Sequence, residues 1–185
     1  MSVEEEEVER QGLAAFHAAA DDALRARLGL QCVSVGGALV SIAGAIPPSG
    51  IVVNRAICLG LSGPADQETI RRIAALYRDA GVERYFVHVH PDAQPPNIRD
   101  WLLEAGLEKA RGWMKFARGC TVPPPADTDL TVRRAEPADG PAFGRIVADA
   151  FDLGDEAIDW LARIVSADGW RIYMSFDGDE PAGTG

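Results

Sequence analysis

Three consecutive prolines, Pro123 to Pro125, constrain the fold more than any other feature of the chain. Proline has a fixed φ and no backbone N–H, so a triplet flanked by small polar residues forms a stiff spacer outside any helix or strand. One series of strand-like and helix-like runs ends before the triplet, and a new series begins after it. The sequence therefore predicts a domain over 1–120, a linker over 121–129 and the beginning of a second unit over 130–185.

The series before the linker predicts an α/β (α+β) fold with a mixed, mostly antiparallel sheet flanked by helices. Apolar residues from Leu13 to Leu28 recur every three or four positions, which is typical of one amphipathic helix ended by Gly29. Two strand-like runs flank Gly36-Gly37, the pattern of a tight hairpin. The remaining predicted elements are a strand over 56–59 that Ile51-Val52-Val53 leads into, a helix from about Asp66 to Ala80, a strand over 85–89, a short helix over 98–105 and a last strand within 107–117.

The series after the linker predicts a strand over 130–134, a helix capped by Asp139, a second helix from Asp155 to Val165, and a strand over 170–176. Asp177-Gly178 is a hairpin signal, and the chain stops at Gly185, where the partner strand is expected to begin. Because this would leave a strand edge unpaired, we expect the sequence to be a fragment of a longer protein.

Charge and composition restrict the possible partners. The net charge is -10, which argues against a nucleic-acid partner. The acidic run Glu4 to Glu7 is the reverse of a signal peptide, and no apolar stretch approaches the about 20 residues needed to span a bilayer. The spacing of Cys32, Cys58 and Cys120 supports neither a disulfide framework nor a zinc site. We therefore expect a cytoplasmic protein with no membrane partner.

Several segments resemble the GNAT superfamily of acyl-CoA-dependent N-acyltransferases. Val132-Arg133-Arg134-Ala135-Glu136-Pro137-Ala138-Asp139 resembles the opening of these enzymes, and the segment from Phe176 to Gly185 resembles their hairpin between the second and third strands. Trp101-Leu102-Leu103-Glu104-Ala105-Gly106-Leu107 is similar to a helix-to-strand junction late in that fold. The resemblance implies a tandem protein whose two GNAT-like units pack on each other. It also implies acetyl-CoA as co-substrate, a small-molecule or peptide amine as acceptor, and no metal.

The resemblance also implies a phosphate-binding turn with the pattern Gln/Arg-x-x-Gly-x-Gly/Ala. The matching window is Gly60-Leu61-Ser62-Gly63-Pro64-Ala65, in which Gly63 and Ala65 fit, but Gly60 replaces the polar residue and Pro64 removes an amide donor. Asp66 and Glu68 add negative charge at the start of the helix. We therefore expect a degenerate first unit without a cofactor site, and the alternative is a simple strand-to-helix turn.

The resemblance leaves the catalytic residues unassigned. Leu102 stands where the family often has a tyrosine, and the phosphate turn of the second unit is expected beyond residue 185. Phe151 to Asp155 corresponds to the family's acceptor entrance, with a plain helix–helix corner as the alternative.

The histidines and tryptophans give weaker indications of a functional site. His88 and His90, with Asp92, have the alternation of a metal site, but strand-end histidines without a metal are favoured. His17 is expected to be an ordinary helix residue. Core packing is expected for the four tryptophans, Trp101, Trp113, Trp160 and Trp170.

Two hypotheses remain. The first is a GNAT-type N-acetyltransferase whose 185-residue chain alone is not competent. The second is a non-catalytic GNAT-like scaffold or interaction module.

Overall fold

The computed structural model describes residues 3–112, 115, 119–122, 124–125 and 127–185. Over these residues the fold is mixed α/β, with six α-helices and two β-sheets. The helices are α1 Val3–Ala18, α2 Asp22–Leu28, α3 Gln67–Asp79, α4 Ile98–Glu104, α5 Gly140–Phe151 and α6 Ile158–Ala162. The strands are β1 Leu30–Val35, β2 Ala38–Ala43, β3 Arg55–Ile57, β4 Phe86–Val87, β5 Thr131–Arg134, β6 Tyr173–Asp177 and β7 Glu180–Thr184. Short 3-10 helices cover Ile51–Val53, Pro137–Asp139, Asp155–Ala157 and Arg163–Ser166.

The predicted single helix before Gly29 is wrong, because the chain forms two helices, α1 and α2. Asp21 has an extended backbone, and its carboxylate accepts a hydrogen bond from the Leu24 N–H at 2.9 Å. This N-cap begins a new helix and interrupts the old one. Gly29 ends α2 as predicted, with a φ of 61°. The predicted apolar stripe is nevertheless continuous across the break, since Leu13, Phe16, Ala20, Leu24 and Leu28 are all buried.

The first sheet has the order β1-β2-β3-β4, with β1–β2 and β2–β3 antiparallel and β3–β4 parallel. The predicted Gly-Gly hairpin is confirmed. Val35 pairs with Ala38, and the two intervening glycines have φ values of 54° and 84°, which L side chains rarely adopt. The parallel pair β3–β4 is connected through α3, whose predicted range of about 66–80 is also confirmed.

The strand predicted over 56–59 is observed as β3, Arg55–Ile57, which begins one residue earlier and ends two residues earlier. Residues Ile51–Val53 form a 3-10 helix, and pairing with β2 begins only at Arg55. The side-chain amide of Asn54 occupies both backbone groups of Ala43, accepting from its N–H at 2.8 Å and donating to its carbonyl at 3.4 Å. A side chain therefore replaces one rung of the ladder.

The strand predicted over 85–89 is observed as the two-residue strand β4, Phe86–Val87. The strand predicted within 107–117 is absent from residues 107–112 and 115, and its other positions lie outside the described residues.

The second sheet is antiparallel, with the order β5-β6-β7. The predicted Asp-Gly hairpin is confirmed, because Asp177 pairs with Glu180 across a turn in which Gly178 has a φ of 59°. Strand β6 begins at Tyr173, three residues later than predicted. The predicted helix from Asp155 to Val165 is the short helix α6 between two 3-10 turns.

Asp139 does not cap α5 as predicted. Its carboxylate accepts from the Glu136 N–H at 2.7 Å and forms a two-pronged ion pair with Arg133. The carboxylate thus fastens the end of β5 to the turn before α5.

Buried apolar residues form two clusters among the described residues. One lies between the first sheet and helices α3 and α4. The other contains residues from both sides of the proline triplet, joining α1, α2 and the opposite face of the first sheet to α5, α6 and the inner face of the second sheet. Its centre is a stacked pair, Phe16 and Trp160, with ring centroids 3.7 Å apart and planes inclined by 5°.

Polar contacts reinforce this shared cluster. The indole N–H of Trp160 donates to the Phe16 carbonyl at 3.0 Å. At the rim, Arg27 pairs with Asp159 at 3.0 Å, and Arg163 pairs with Asp21 at 2.5 Å. The other described tryptophans, Trp101 and Trp170, are half-buried, and Trp113 lies outside the described residues.

We expect Trp160→Ala to lower the free energy of unfolding by about 3–5 kcal/mol, because it removes a fully buried aromatic ring. Urea unfolding monitored by circular dichroism measures the loss. Tyr173→Ala is the control, since this aromatic side chain is 48% exposed and its removal should change stability by less than about 1 kcal/mol. Equal losses in the two variants would contradict a central role for Trp160.

Candidate functional site

The turn from Gly60 to Ala65, between β3 and α3, is where the sequence predicted a degenerate phosphate site. Gly60 has a φ of 74°, and its carbonyl accepts a hydrogen bond from the Gln94 N–H at 2.8 Å. A Cβ atom at position 60 would lie 2.5 Å from the Gln94 carbonyl oxygen and 2.7 Å from the Ile98 Cδ1 atom. The structure therefore leaves no space for the glutamine or arginine of the family pattern at this position.

Three of the six positions in this turn offer no backbone donor to a ligand. The Ala65 N–H donates to the Gln94 carbonyl at 2.8 Å, the Leu61 N–H donates to the Cys58 carbonyl at 3.3 Å, and Pro64 has no N–H. The Gln94 carbonyl thus takes the Ala65 amide, which a phosphate group would otherwise bind.

The N-terminus of α3 carries two carboxylates, and one of them, Asp66, caps the helix. The Asp66 side chain accepts from the Thr69 N–H at 2.7 Å, and this hydrogen bond holds the pKa of Asp66 below its usual value. Glu68 pairs with Arg71 at 2.9 Å in the first turn. An anion approaching this end of the helix would meet negative charge instead of free amides.

Of the three residues of the possible metal site, Asp92 lies against His90, with its carboxylate 3.8 Å from the His90 Nδ1 atom, whereas His88 has other neighbours. His88 lies beside Glu9 and Arg55, and burial, followed by the charge of Arg55, lowers its pKa to about 4. His90 is buried, and its Nδ1 atom accepts from the Asp92 N–H at 3.1 Å. Among the described residues, no three His, Cys, Asp or Glu side chains are placed to hold a metal ion together.

Leu102, at the position where the family often has a tyrosine, is buried against α3 in the second apolar cluster. The nearby Tyr77 is also buried, and its hydroxyl donates to the Ser41 carbonyl at 3.1 Å. Burial raises the pKa of Tyr77 far above its usual value. Tyr77 is therefore a structural residue, stacked on Tyr85 at 3.9 Å, and not a proton donor to a ligand.

A buried polar chain involves His17, which the sequence suggested was ordinary. The Ser41 hydroxyl donates to the Val53 carbonyl at 2.7 Å, so it accepts from the Nε2–H group of His17, also at 2.7 Å. This serine–histidine pair cannot act as a nucleophile and base, because Ser41 is fully buried and its proton is bound to a carbonyl. Burial, and then the charge of Arg25, lowers the pKa of His17 to about 4.

The segment from Phe151 to Asp155 forms a helix–helix corner. Helix α5 ends at Phe151, and Asp152 follows in the left-handed region with a φ of 59°. The Asp152 carbonyl accepts from the Ser49 hydroxyl at 3.2 Å, and Leu153 is buried. This corner therefore packs on the loop before β3.

Two shallow grooves of about 570 and 690 Å³ flank residues 163–171. Their remaining walls are formed by the end of α1, the end of β5, the turn after it and the start of α5. Neither groove includes a residue of the Gly60–Ala65 turn.

The sequence did not predict a charged cluster on the face of the first sheet that α1 covers, at the ends of β3 and β4. The Lys115 ammonium contacts the carboxylates of both Glu6 and Glu9, and Arg55 pairs with Glu9 at 2.9 Å. We call these four residues the α1 ion cluster. Glu6 and Glu9 are one helical turn apart, and this spacing could have indicated a shared face. Their partners are distant in sequence, which local patterns do not reveal.

Cys58 lies beside the α1 ion cluster, directly after β3, with a φ of 62° that is unusual for a residue other than glycine. Its thiol donates to the Glu6 carbonyl at 3.5 Å. Burial, and then the charge of Glu6, raises the pKa of Cys58 to about 11. The thiol is therefore protonated at neutral pH and is a poor nucleophile.

No protein-family model matches the chain, and neither a curated protein nor a solved structure shows significant similarity to it. None of the described helices has the length and apolar character that crossing a membrane requires.

We expect Gly60→Gln to destabilise the protein by about 2–4 kcal/mol, because it places a side chain in the left-handed region and against the Gln94 backbone. Gly63→Ala is the matched control, since a Cβ atom at position 63 meets nothing within 4 Å. Urea denaturation compares the two variants. A Gly60→Gln protein as stable as the control would show that the close approach to Gln94 is dispensable.

We expect stability to fall as the pH falls from 6.5 toward 4, because unfolded His17 binds a proton that folded His17 excludes. The contribution of His17 to the free energy of unfolding is fully present above 6.5, the pKa of the unfolded state. At pH 5 this contribution has fallen by about 2 kcal/mol. His17→Gln should flatten the dependence of the denaturation midpoint on pH in this window. An unchanged slope in the variant would contradict this role for His17.

Proposed function

We propose that this chain is part of a GNAT-type N-acetyltransferase that transfers an acetyl group from acetyl-CoA to an amine of a small molecule or peptide in the cytoplasm. The resemblance of its motifs supports the reaction class. The element order in residues 30–104 agrees with it, since a hairpin, a strand, a glycine-containing turn and a helix lead to a parallel strand.

Within this enzyme, the N-terminal unit acts as a scaffold without a cofactor site. The observation that carries this role is the closed turn at Gly60 to Ala65, whose Ala65 N–H donates to the Gln94 carbonyl and whose helix is capped by Asp66. The unit keeps the strand, turn and helix that would support a phosphate, but Pro64 lacks an amide and the Leu61 and Ala65 amides are already bound.

A second observation that supports the scaffold role is the apolar cluster that contains residues from both sides of the proline triplet. Helices α1 and α2 cover α6 through the Phe16–Trp160 stack and the two ion pairs at its rim. The N-terminal unit thereby buries surface of the segment that resembles the start of a GNAT domain. Intramolecular packing of two GNAT-like units is therefore part of the proposal.

A non-catalytic interaction module is the second candidate function. The same closed turn favours it, because a protein with no need of acyl-CoA would tolerate a blocked phosphate site. The two candidates differ in acetyl-CoA turnover by the longest natural form of the protein that contains this chain. Turnover with a primary amine supports the enzyme, and its absence in a folded protein supports the module.

We expect the chain itself not to bind acetyl-CoA, and we expect Pro64→Gly with Asp66→Ser to create binding with a Kd of about 1 mM. The double variant restores one amide and removes one negative charge, while the introduced serine hydroxyl can still cap the Thr69 N–H. It leaves Gly60 unchanged, because no side chain fits there. Titration calorimetry measures the binding.

The control for this experiment is Asp79→Ser, which removes an equal charge from the opposite end of α3. It should not create binding, because the C-terminal end of a helix presents carbonyl oxygens, which repel an anion. A folded double variant that binds no CoA at about 1 mM would contradict the blocked-site interpretation. The Gly60–Ala65 turn would then be a simple connection between β3 and α3.

A further inference from the structure

Strand β1 lies at the edge of the first sheet and pairs with β2 along one side only. The Gly44 N–H donates to the Gly29 carbonyl at 3.4 Å, immediately before the first residue pair of the β1–β2 ladder. Hydrogen-bonded pairs alternate along an antiparallel ladder, so this bond fixes which backbone groups face β2. The odd-numbered residues of β1 bond to β2, and the N–H and C=O groups of the even-numbered residues point away from the sheet.

The outward backbone groups of Cys32 and Ser34 have no hydrogen-bond partner among the described residues. Ser34 is exposed and Cys32 is half-buried, whereas Leu30, the other even-numbered residue of β1, is buried. Two consecutive outward positions are therefore open to a further strand. We call this open side of β1 the β1 edge.

The other outer strands of the two described sheets have features that discourage pairing with another chain. Strand β7 contains Glu180 and Pro181, and its register with β6 is irregular. Strand β5 contains two arginines, and β4 has only two residues. The six residues of β1 include no charged residue and no proline, and their register with β2 is unbroken. Strand β1 is therefore the outer strand best suited to accept another strand.

One face of the β1 edge is positively charged. The Cys32 side chain packs on the apolar cluster that contains α1 and α2 residues, and burial raises its pKa, while the charges of Arg25 and then Arg10 oppose this rise. A two-pronged pair with Glu7 neutralises Arg10. Arg25 instead donates to two backbone carbonyls near the end of α1 and pairs with no carboxylate among the described residues. A carboxylate on a strand added beside Cys32 would supply the missing counter-charge.

This charge distinguishes between possible occupants of the β1 edge. A second copy of β1 could supply backbone hydrogen bonds, but its six residues contain no carboxylate for Arg25. A two-fold axis through such a pair would also bring two Arg25 charges to the same face of the joint sheet, where like charges oppose association. An acidic strand from another polypeptide satisfies both the backbone groups and the arginine.

We propose that the β1 edge binds an extended, acidic segment of another polypeptide as an additional strand of the first sheet. The backbone groups of Cys32 and Ser34 supply the hydrogen bonds, and Arg25 selects a carboxylate on the added strand. This site is separate from the Gly60–Ala65 turn and does not depend on acyl-CoA chemistry.

The test is amide hydrogen exchange of the wild-type chain, measured by NMR with a blocked peptide of sequence Thr-Val-Thr-Glu-Thr-Val-Thr. Without peptide, the Cys32 and Ser34 amides should exchange at least about tenfold faster than those of Gln31 and Val33, which bond to β2. About 1 mM peptide should slow the two fast amides about fivefold, which corresponds to a Kd of about 0.25 mM. Absence of this protection would overturn the proposal.

A second peptide, with lysine in place of glutamate, tests the role of charge. It should bind the wild-type chain at least about tenfold more weakly, because Arg25 repels it. Arg25→Met should reduce this preference for glutamate. Arg99→Met is the matched control, since it removes an exposed arginine of α4, and it should keep the preference. Equal affinity of the wild-type chain for the two peptides would contradict an acidic partner.

A third comparison tests the backbone pairing. Ser34→Pro removes an outward N–H without removing a hydrogen bond to β2, and it should weaken binding of the glutamate peptide at least about tenfold. Ser34→Ala keeps the N–H and should bind as the wild type does. If Ser34→Pro does not fold, hydrogen exchange of the wild-type chain still decides. Protection of Cys32 and Ser34 that rises with protein concentration in the absence of peptide would show that a second copy covers the β1 edge, and would overturn the proposal.

Discussion

The stack of Phe16 on Trp160 is the contact on which the rest of the structure depends. It joins α1 to α6 across the proline triplet, and the indole N–H is satisfied by the carbonyl of the residue on which the ring stacks. A fully buried tryptophan contributes more apolar contact than any other side chain in this cluster. Because the two partners come from opposite sides of the linker, the apolar cluster belongs to both segments.

Helix α1 consequently serves two functions in the fold. Its C-terminal half supplies Leu13 and Phe16 to the shared apolar cluster, and its N-terminal half supplies Glu6 and Glu9 to the α1 ion cluster beside β3 and β4. One rigid element therefore links the charged end of the first sheet to the packing of α6. A change in either contact acts on the position of the same helix.

The Gly60–Ala65 turn shows how structural needs and ligand binding compete for the same groups. The close approach of the Gln94 backbone requires a glycine at position 60 and uses the Ala65 amide. The Asp66 cap stabilises α3 but places a negative charge where an anion would bind. The sequence indicated the missing donor at Pro64 and the acidic cap, whereas the steric role of Gly60 depends on a residue 34 positions later in the chain.

Local patterns in the sequence determined the mixed α/β class, both hairpins and helix α3, because turn glycines, caps and apolar periodicity act over a few residues. Tertiary structure decided where Asn54 replaces a strand rung, how α1 is shared by the two segments and which carboxylates surround Lys115. These features join residues from about ten to more than a hundred positions apart. Their energies come from burial and charge pairing, which exist only after the chain has folded.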